Sequence, residues 1–425
     1  MQFGIGKDLI TPDIKMFMSG YGTRYDMYFQ GIHDDLYVKA LLMDDGRSKA
    51  ITLSLDLLMH DYSLTLKVKE YIRQKYGIPE DNIVLSYTHT HGGAAVEGYD
   101  IGQSSLQYEV FLFQRIKSCI DRTFCNTFEG VAYYGKVEGD WNINRRRNVN
   151  GVFEMRPNFG GNKDNALNII AIRDTEGNTK ALMLNYSCHP VTVMDTFFLT
   201  AEYPGRLCQI LDSWLYGNTT LFFQGAGANS RPKNTANGDF FKKCSFAEVD
   251  EMATSMARAV LSTLCSDKLE RLELQLSAKQ FVIPLAINVY PEEFYRKITE
   301  NEENSYSFTA KNAAAFVLKN YYSIEDVVKL NAGIMKLSNK VYICFMCGEV
   351  CHEVKQKIEK LFDGKKIIFI GYGDGIGYIP DDKIIEEGGY EAEGSVVEMC
   401  MKGEFKAGID KAILGAFEFN LNQLL

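Results

Sequence analysis

Two histidines that follow an apolar segment are the strongest candidates for chemistry in this sequence. His89 and His91 come after the apolar run Ile83–Leu85 and directly before Gly92-Gly93. Because alternate residues of an extended chain point to the same side, we expect both imidazoles to face one side at the end of a buried strand. Imidazole is the commonest metal ligand, and the chain has only 6 histidines. The pattern indicates a metal or catalytic site, and it is equally compatible with two ordinary polar residues at a strand end.

Two more polar residues end apolar segments of the same kind. His189 follows the predicted strand 181–186, and Glu349 follows the predicted strand 340–347. Zinc binds imidazole nitrogen and carboxylate oxygen, and a catalytic zinc site leaves one position for water. Histidines and a glutamate at separate strand ends are therefore chemically sufficient for such a site. Taken singly, Glu349 fits a solvated strand-end carboxylate, and Tyr378 in a later glycine-rich loop fits a packed aromatic.

A second group of metal-binding residue types lies close to Glu349. Cys344, Cys347, Cys351 and His352 form the pattern C-x2-C-x3-C-H, which resembles a structural zinc knuckle. The first two cysteines lie in a predicted strand, however, where residues three apart face opposite sides. Free cysteines are common small core residues, and we expect a core role for these.

A basic triplet, Arg145-Arg146-Arg147, stands in an asparagine-rich segment after the predicted strand 131–137. From the pattern alone we expect a loop with a solvated surface. Arginine can also clamp a carboxylate or a substrate oxygen, so a role in a site is the alternative.

Strands alternate with helices through most of the chain. The predicted strands are 36–43, 50–55, 83–91, 131–137, 167–173, 181–186, 221–224, 272–284, 340–347 and 365–371, and the predicted helices are 64–76, 104–124, 205–215, 246–264 and 354–362. This alternation indicates an α/β protein with mixed β-sheets flanked by helices, and it places the candidate metal site at the C-terminal ends of strands. The remainder of 272–328 has an irregular pattern, with 301–307 as the expected exposed loop tip.

Composition excludes several classes of protein. The chain has 425 residues, enough for two or three domains by length alone, and a formal net charge of −9, which argues against a nucleic-acid partner. We find no apolar run of about 18 residues that would span a membrane. The N-terminus lacks the apolar core of a signal peptide, and the 10 cysteines therefore suggest reduced thiols and a cytoplasmic location.

An ordered series of short motifs resembles a known family. The series is T-H-T-H at 88–91, N-R at 144–145, H-P at 189–190, G-E at 348–349, a tyrosine at 378 and Y-E at 390–391. It is similar to the catalytic domain of the neutral/alkaline, non-lysosomal ceramidase family. The resemblance implies a single catalytic domain over 1–425, with sub-structure at 1–265 and 266–425. The C-terminal β-sandwich module of the family is not expected here.

The resemblance also implies a site and an activity. A single zinc ion would have His89, His189, Glu349 and Tyr378 as ligands. His91 would lie beside the attacking water and the developing oxyanion, and the remaining two site residues, Arg145 and Tyr390, would contact the scissile amide or its neighbouring hydroxyl groups. The activity implied is zinc-dependent hydrolysis of an N-acyl amide, either ceramide-like or smaller, so that the partner is a lipid or small-molecule amide.

Two alternatives remain open at this point. Loops that differ from the family pattern, at 92–94 and 227–232, favour a zinc-binding relative without hydrolase activity. The same metal centre could also serve an esterase or deacylase of a small cytosolic metabolite, because the leaving group is not encoded in these motifs.

Overall fold

A computed structural model of the chain describes residues 1–24, 27–96, 104–301, 306–375 and 377–424. Its strands are β1 (Gln2–Leu9), β2 (Gly31–Ile32), β3 (Tyr37–Asp44), β4 (Lys49–Leu55), β5 (Ile83–Tyr87), β6 (Thr127–Glu138), β7 (Asn142–Val149), β8 (Val152–Asn158), β9 (Ala166–Asp174), β10 (Thr179–Tyr186), β11 (Phe198–Leu199), β12 (Thr219–Gln224), β13 (Ser230–Pro232), β14 (Ala236–Asn237), β15 (Phe240–Phe241), β16 (Glu270–Leu272), β17 (Ser277–Val289), β18 (Val327–Lys336), β19 (Val341–Met346), β20 (Glu349–Val350), β21 (Lys366–Ile370), β22 (Tyr378–Ile379) and β23 (Gly403–Phe405). Its α-helices are α1 (Tyr62–Tyr76), α2 (Leu106–Cys125), α3 (Glu202–Trp214), α4 (Phe246–Leu264), α5 (Glu292–Thr299), α6 (Phe308–Asn320), α7 (His352–Glu359), α8 (Asp382–Glu387) and α9 (Ile409–Leu424).

Two mixed sheets pack face to face between layers of helices. The larger sheet has the order β12-β10-β9-β6-β1-β3-β4-β5, with β16 beside β6, and the smaller sheet has the order β21-β19-β18-β17-β23. Buried side chains from both sheets form one shared core, which includes Phe3, Met43, Val84, Ile170 and Phe223 from the larger sheet and Met335, Ile343, Phe345, Ile368 and Ile370 from the smaller sheet. Helices α1 to α4 cover the outer face of the larger sheet, and α7 and α9 cover that of the smaller sheet.

The α/β class with mixed sheets is confirmed. The two halves divided at 265/266 share the core between the sheets, because strands from each half contribute to it. None of the helices in the described part of the chain combines the length and apolar character of a membrane-spanning helix.

The expectation of an irregular segment at 272–328 is wrong. Strand β17 continues beyond 284 with alternating burial, and helices α5 and α6 follow it. These helices form a small satellite core, whose buried residues are Tyr295, Ile298, Ala314 and Val317. Their short apolar faces gave no clear helical period. Residues 302–305 of the predicted loop tip lie outside the described residues, and Ser307 caps α6 by accepting a hydrogen bond from the Ala310 N–H at 3.0 Å.

Parallel strand pairs bring several strand ends to one edge of the sandwich. Strand β4 pairs with β5, β10 with β12, and β19 with β21, each in parallel. The two ends of the larger sheet also approach each other. The Ser54 hydroxyl donates to the Phe222 carbonyl at 2.5 Å, and Lys39 Nζ donates to the Thr220 carbonyl at 2.9 Å. The segments that follow β5, β10 and β19 therefore meet in one region.

A buried histidine joins the starts of two helices on the outer layer. His60 lies just before α1, with Nδ1 at 3.0 Å from Asp61 Oδ1 and Nε2 at 2.9 Å from Glu109 Oε2 on α2. Burial favours the neutral ring, but the hydrogen bonds with Asp61 and Glu109 outweigh this effect and raise the pKa of His60 to about 9. The protonated ring therefore holds the two carboxylates together.

We expect this interaction to make stability fall as the pH rises. The folded pKa of about 9 lies above the reference value of 6.5, so the contribution is complete below pH 6.5 and is lost as the pH rises through 9. In urea unfolding between those two pH values, the wild-type protein should lose on the order of 2–3 kcal/mol more than His60→Gln. Equal pH dependence of the two proteins would contradict this assignment.

Candidate metal centre

The segment that carries the paired histidines leaves the strand sooner than the sequence suggested. Strand β5 ends at Tyr87, and His89 has a φ of 60°, in the left-handed region. This conformation is uncommon for residues other than glycine, costs roughly 1–3 kcal/mol, and is concentrated at functional sites. His89 and His91 do face one point, but a sharp turn brings them there and not the alternation of an extended strand.

Three imidazoles and one carboxylate converge on that point. The Nε2 atom of His89 lies 3.1 Å from Nε2 of His189 and 3.3 Å from Nε2 of His91. The Oε2 atom of Glu349 lies 3.5 Å from His89 Nε2 and 3.3 Å from His189 Nε2. Among the residues that the structure describes, these three histidines are the one group of three or more metal-binding side chains close enough to share an ion.

The outer nitrogen of each ring is held by a separate partner. Nδ1 of His89 lies 3.0 Å from the Leu58 carbonyl, and Nδ1 of His91 lies 3.0 Å from the Gly20 carbonyl. Nδ1 of His189 lies 3.4 Å from the Tyr372 hydroxyl. A carbonyl only accepts, so the first two rings carry their proton on Nδ1 and direct the Nε2 lone pair inward. Such outer hydrogen bonds are typical of histidines that bind metal.

The Glu349 carboxylate has one buried oxygen, Oε2, that accepts no hydrogen bond. It opens β20, which pairs in parallel with β22, so that Glu349 stands opposite Tyr378. The Glu349 side chain is only 1% exposed, and its Oε2 atom has no hydrogen-bond partner. A buried carboxylate oxygen among inward lone pairs is unfavourable unless a cation lies between them.

The spacing of the donors fits a divalent cation. Two ligands that bind zinc at 2.0–2.1 Å in a tetrahedron lie about 3.3–3.4 Å apart. The four donor-to-donor distances given above range from 3.1 to 3.5 Å. Burial, together with the neighbouring rings and cations, lowers the pKa of His91 and His189 well below the usual value, so both rings are neutral, the form that binds metal.

A small cavity opens onto this group of donors. It has a volume of about 90 Å³, and its lining includes His91, Glu349, Tyr378, Tyr390 and Glu398. The rings of Tyr378 and Tyr390 lie 5.2 Å apart, and the Tyr378 ring stacks parallel to that of His189 with centroids 6.3 Å apart. The cavity therefore connects the donors with a polar, aromatic wall.

Comparison with known proteins agrees with this architecture. Residues 1–201 match the profile of the neutral/alkaline non-lysosomal ceramidase N-terminal family, a region that contains His89, His91, Arg145 and His189. The N-terminal part of the chain is therefore similar to the neutral/alkaline ceramidase family. The neutral ceramidases of Drosophila pseudoobscura pseudoobscura and Drosophila melanogaster are each 26% identical to it over 225 residues, which cover 49% of this chain and 32% of those proteins. Neutral ceramidase 3 of Arabidopsis thaliana is 33% identical over 113 residues, covering 26% of this chain and 14% of that protein.

The fold also matches that of a solved member of the family. The crystal structure of neutral ceramidase from Pseudomonas aeruginosa superposes with a TM-score of 0.76 at 15% sequence identity, covering 100% of this chain and 75% of that chain. At this identity the likeness shows a shared fold. The chain spans about a third of the length of the curated relatives it matches, so their activity and substrates are not assigned to it by similarity.

The arginine triplet is not a surface loop. Arg145 and Arg146 lie in β7 and are almost fully buried, which corrects the expectation drawn from the pattern alone. The Glu391 carboxylate accepts from Arg145 Nε and from Arg146 Nη1, both at 2.8 Å. Only Arg147 is partly exposed, and it pairs with Asp239 at 2.9 Å.

Arg145 lies behind the cavity wall. Its guanidinium group is 5.3 Å from the centre of the Tyr378 ring and 5.6 Å from that of Tyr390, and it is not among the residues that line the cavity. The implied contact of Arg145 with the scissile amide stays a prediction. Its observed place suits support of the Tyr378 side chain, whose negative form a guanidinium stabilises.

Sequence reasoning missed one residue that positions two histidines. Gln224 ends β12 and is fully buried, and its Nε2 donates to the Thr88 carbonyl at 3.1 Å and to the Cys188 carbonyl at 2.9 Å. Each acceptor precedes a site histidine by one residue. The available signal was a polar residue at the end of an apolar strand, the same pattern that identified His189.

The cysteine-rich alternative does not assemble. The side chain of Cys347 lies 2.9 Å from Asp374 Oδ2, whereas Cys351 packs in a separate cluster beside Tyr378. Cys344 faces the core between the smaller sheet and its helices. All three thiols are buried and free, in agreement with a core role.

Glu391 should be important for stability, because its removal leaves two buried guanidinium groups without their shared partner. We expect Glu391→Ala to lower the free energy of unfolding by about 3–5 kcal/mol in urea titrations. Glu393→Ala, on the same segment but exposed, should stay within about 0.5 kcal/mol of wild type. A Glu391 variant as stable as this control would show that the two arginines do not depend on the carboxylate.

Proposed function

We propose that this chain is a zinc-dependent hydrolase of N-acyl amide bonds. The observation that carries the proposal is the convergence of His89, His189 and Glu349, whose donor atoms lie 3.1–3.5 Å apart. Glu349 and His91 also line the adjoining cavity. The similarity of residues 1–201 to the neutral/alkaline ceramidase family supports amide hydrolysis as the reaction. The implied fourth ligand is Tyr378, which stands opposite Glu349 on the paired strand.

Zinc, when bound, acts as a Lewis acid that activates water at neutral pH and withdraws charge from an acyl carbonyl oxygen. His89, His189, Glu349 and Tyr378 would hold the ion. Arg145 is a positioning residue, since it supports Tyr378 from behind the cavity. The enclosed site strengthens these electrostatic interactions, because little water competes for the same groups.

His91 is placed to move the proton that amide cleavage requires. The Gly20 carbonyl fixes the proton of His91 on Nδ1, so that Nε2 faces the cavity as a base. In this proposal, Nε2 accepts a proton from the attacking water and then donates it to the nitrogen of the leaving amine. Protonation of the nitrogen is essential, because an amide anion is a very poor leaving group.

Tyr390 contributes a hydroxyl group to the wall opposite the donors. Its hydroxyl donates to Glu398 Oε2 at 3.2 Å, and burial raises the pKa of Tyr390 far above the usual range, so the proton stays on this hydroxyl and its lone pairs are available to accept a hydrogen bond. We propose that it orients the amide or its neighbouring polar groups. An ester would fit the same site. Assays with one acyl group, supplied as an amide and as an ester, distinguish hydrolysis of the two bond types.

The metal assignment is tested by comparing two buried histidines. His89→Ala should purify without stoichiometric zinc and should lose hydrolysis of N-acyl amines. The substitution removes Nε2 of His89, the atom that lies within 3.5 Å of donor atoms of His91, His189 and Glu349. His352→Ala, which removes the histidine of the cysteine-rich pattern, should retain zinc. Metal content is measured by inductively coupled plasma mass spectrometry. Zinc lost from the His352 variant and kept by the His89 variant would reverse the assignment.

The role of His91 is tested by separating metal binding from turnover. His91→Gln should keep zinc and lower kcat by about 10²- to 10⁴-fold, the usual contribution of a general acid–base group. Loss of zinc from this variant would instead make His91 a ligand. Full zinc content with full activity would exclude it from the reaction.

A further inference from the structure

We propose that the cavity selects compact N-acyl amines that carry a second, positively charged nitrogen, and that the Glu398 carboxylate recognises this charge. The inference rests on the proposed hydrolase function and assigns a substrate class to it. An N-acylated diamine has the required chemistry, with one nitrogen in the amide and the other as an ammonium group.

The Glu398 carboxylate is held by hydroxyl groups at the wall of the cavity. It lines the same cavity as His91 and Glu349. Its two oxygens receive hydrogen bonds from uncharged groups, with the Tyr390 hydroxyl at 3.2 Å from Oε2 and the Ser307 hydroxyl at 3.4 Å from Oε1. Within the described ranges, no lysine, arginine or histidine nitrogen lies within 4.0 Å of this carboxylate.

Glu391 differs from Glu398 in that it is buried and paired with two arginines. Glu391, seven positions earlier, is neutralised by Arg145 and Arg146 and is absent from the cavity lining. Glu398 is partly exposed, lines the cavity and is hydrogen-bonded by two hydroxyl groups. A carboxylate in a partly enclosed space attracts a cation more strongly than one on an open surface, because low-dielectric walls focus its field.

The cavity is small for a ligand pocket. Its volume of about 90 Å³ holds roughly six to nine water-sized spheres, against several hundred Å³ for a common ligand pocket. Helix α6 forms one wall with Phe308, Thr309, Asn312 and Ala313. A methyl group added at Gly22 would lie 2.7 Å from the Thr309 hydroxyl, so this helix packs tightly against the facing loop. Among the residues that the structure describes, these walls leave little space inside for a long hydrocarbon chain.

Implied metal ligands and the Glu398 carboxylate line the same cavity. Glu349 and Tyr378, two of the implied ligands, line the cavity together with His91, and the Tyr390 hydroxyl donates to Glu398 in the same lining. An acyl carbonyl directed at the donors therefore leaves the amine portion of the substrate facing Tyr390 and Glu398. An ammonium group on that portion can replace the solvent at the carboxylate and form a charge-assisted hydrogen bond.

An isosteric pair of substrates tests this inference. Mono-N-acetyl-1,4-diaminobutane and N-pentylacetamide have the same number of heavy atoms and differ in an ammonium or a methyl end group. Zinc-loaded wild-type protein should have the higher kcat/KM on the cationic member. Glu398→Gln should lower kcat/KM on the cationic substrate by about 10- to 100-fold and change the neutral one by less than about threefold. Glu393→Gln, an exposed change on the same segment, should affect neither.

Three outcomes would overturn the inference. An equal loss on both substrates would show that Glu398 acts only through the position of Tyr390. A wild-type preference for the neutral isostere, or for a 16-carbon N-acyl ethanolamine, would refute charge selection while leaving the hydrolase intact. If no substrate is turned over, calorimetry with 1,4-diaminobutane decides separately. Binding that Glu398→Gln weakens supports cation recognition without the hydrolase, and absence of such binding refutes it.

Discussion

The arrangement of the site depends on the close approach of polar atoms, of which the Nε2 atoms of His89 and His91 carry no proton on the side where they meet. In His89 and His91 the Nδ1–H group donates a hydrogen bond to a backbone carbonyl. The Nε2 atom of each ring therefore presents a lone pair. Glu349 adds a buried oxygen without a hydrogen-bond donor, 3.3 Å from His189 Nε2. Uncompensated polar atoms at these distances would cost several kcal/mol, and a divalent cation between them removes that cost. The fold therefore brings together groups that a bound cation would compensate.

Backbone strain accompanies the placement of these donors. His89 and the neighbouring Tyr372 both have positive φ values, 60° and 58°, at the ends of their strands. Gln224 fixes the two backbone segments that precede His89 and His189, and it is placed by β12, a strand that ends beside both. The packing of the two sheets over-determines these positions, so that strain at the site is compensated by burial elsewhere.

The parts of the fold that were predictable from sequence are those with local signals. Strands such as β10 and helices such as α4 have clear apolar periods, and the paired histidines stand directly after one such strand. The ligand set came from the resemblance, because His89, His189 and Glu349 are too distant in the sequence for any local spacing to connect them. The roles of these residues remain proposals, and so does a cytoplasmic location.

The parts that were missed depend on distant partners. Arg145 looked like a surface residue, since its compensating carboxylate, Glu391, lies 246 positions away. Helix α6 buries mainly alanines and so gave a weak apolar pattern. Glu398 has no motif at all, and only its position in the cavity beside Tyr390 distinguishes it from the other acids of the chain.

Anomalous diffraction at the zinc absorption edge is the most direct test of the metal centre. Crystals of the full chain, grown from protein purified without chelator, should show one peak about 2.0–2.2 Å from His89 Nε2, His189 Nε2 and Glu349 Oε2. A zinc-replete crystal with no peak among these three atoms, or with its peak at another group of side chains, would contradict the account.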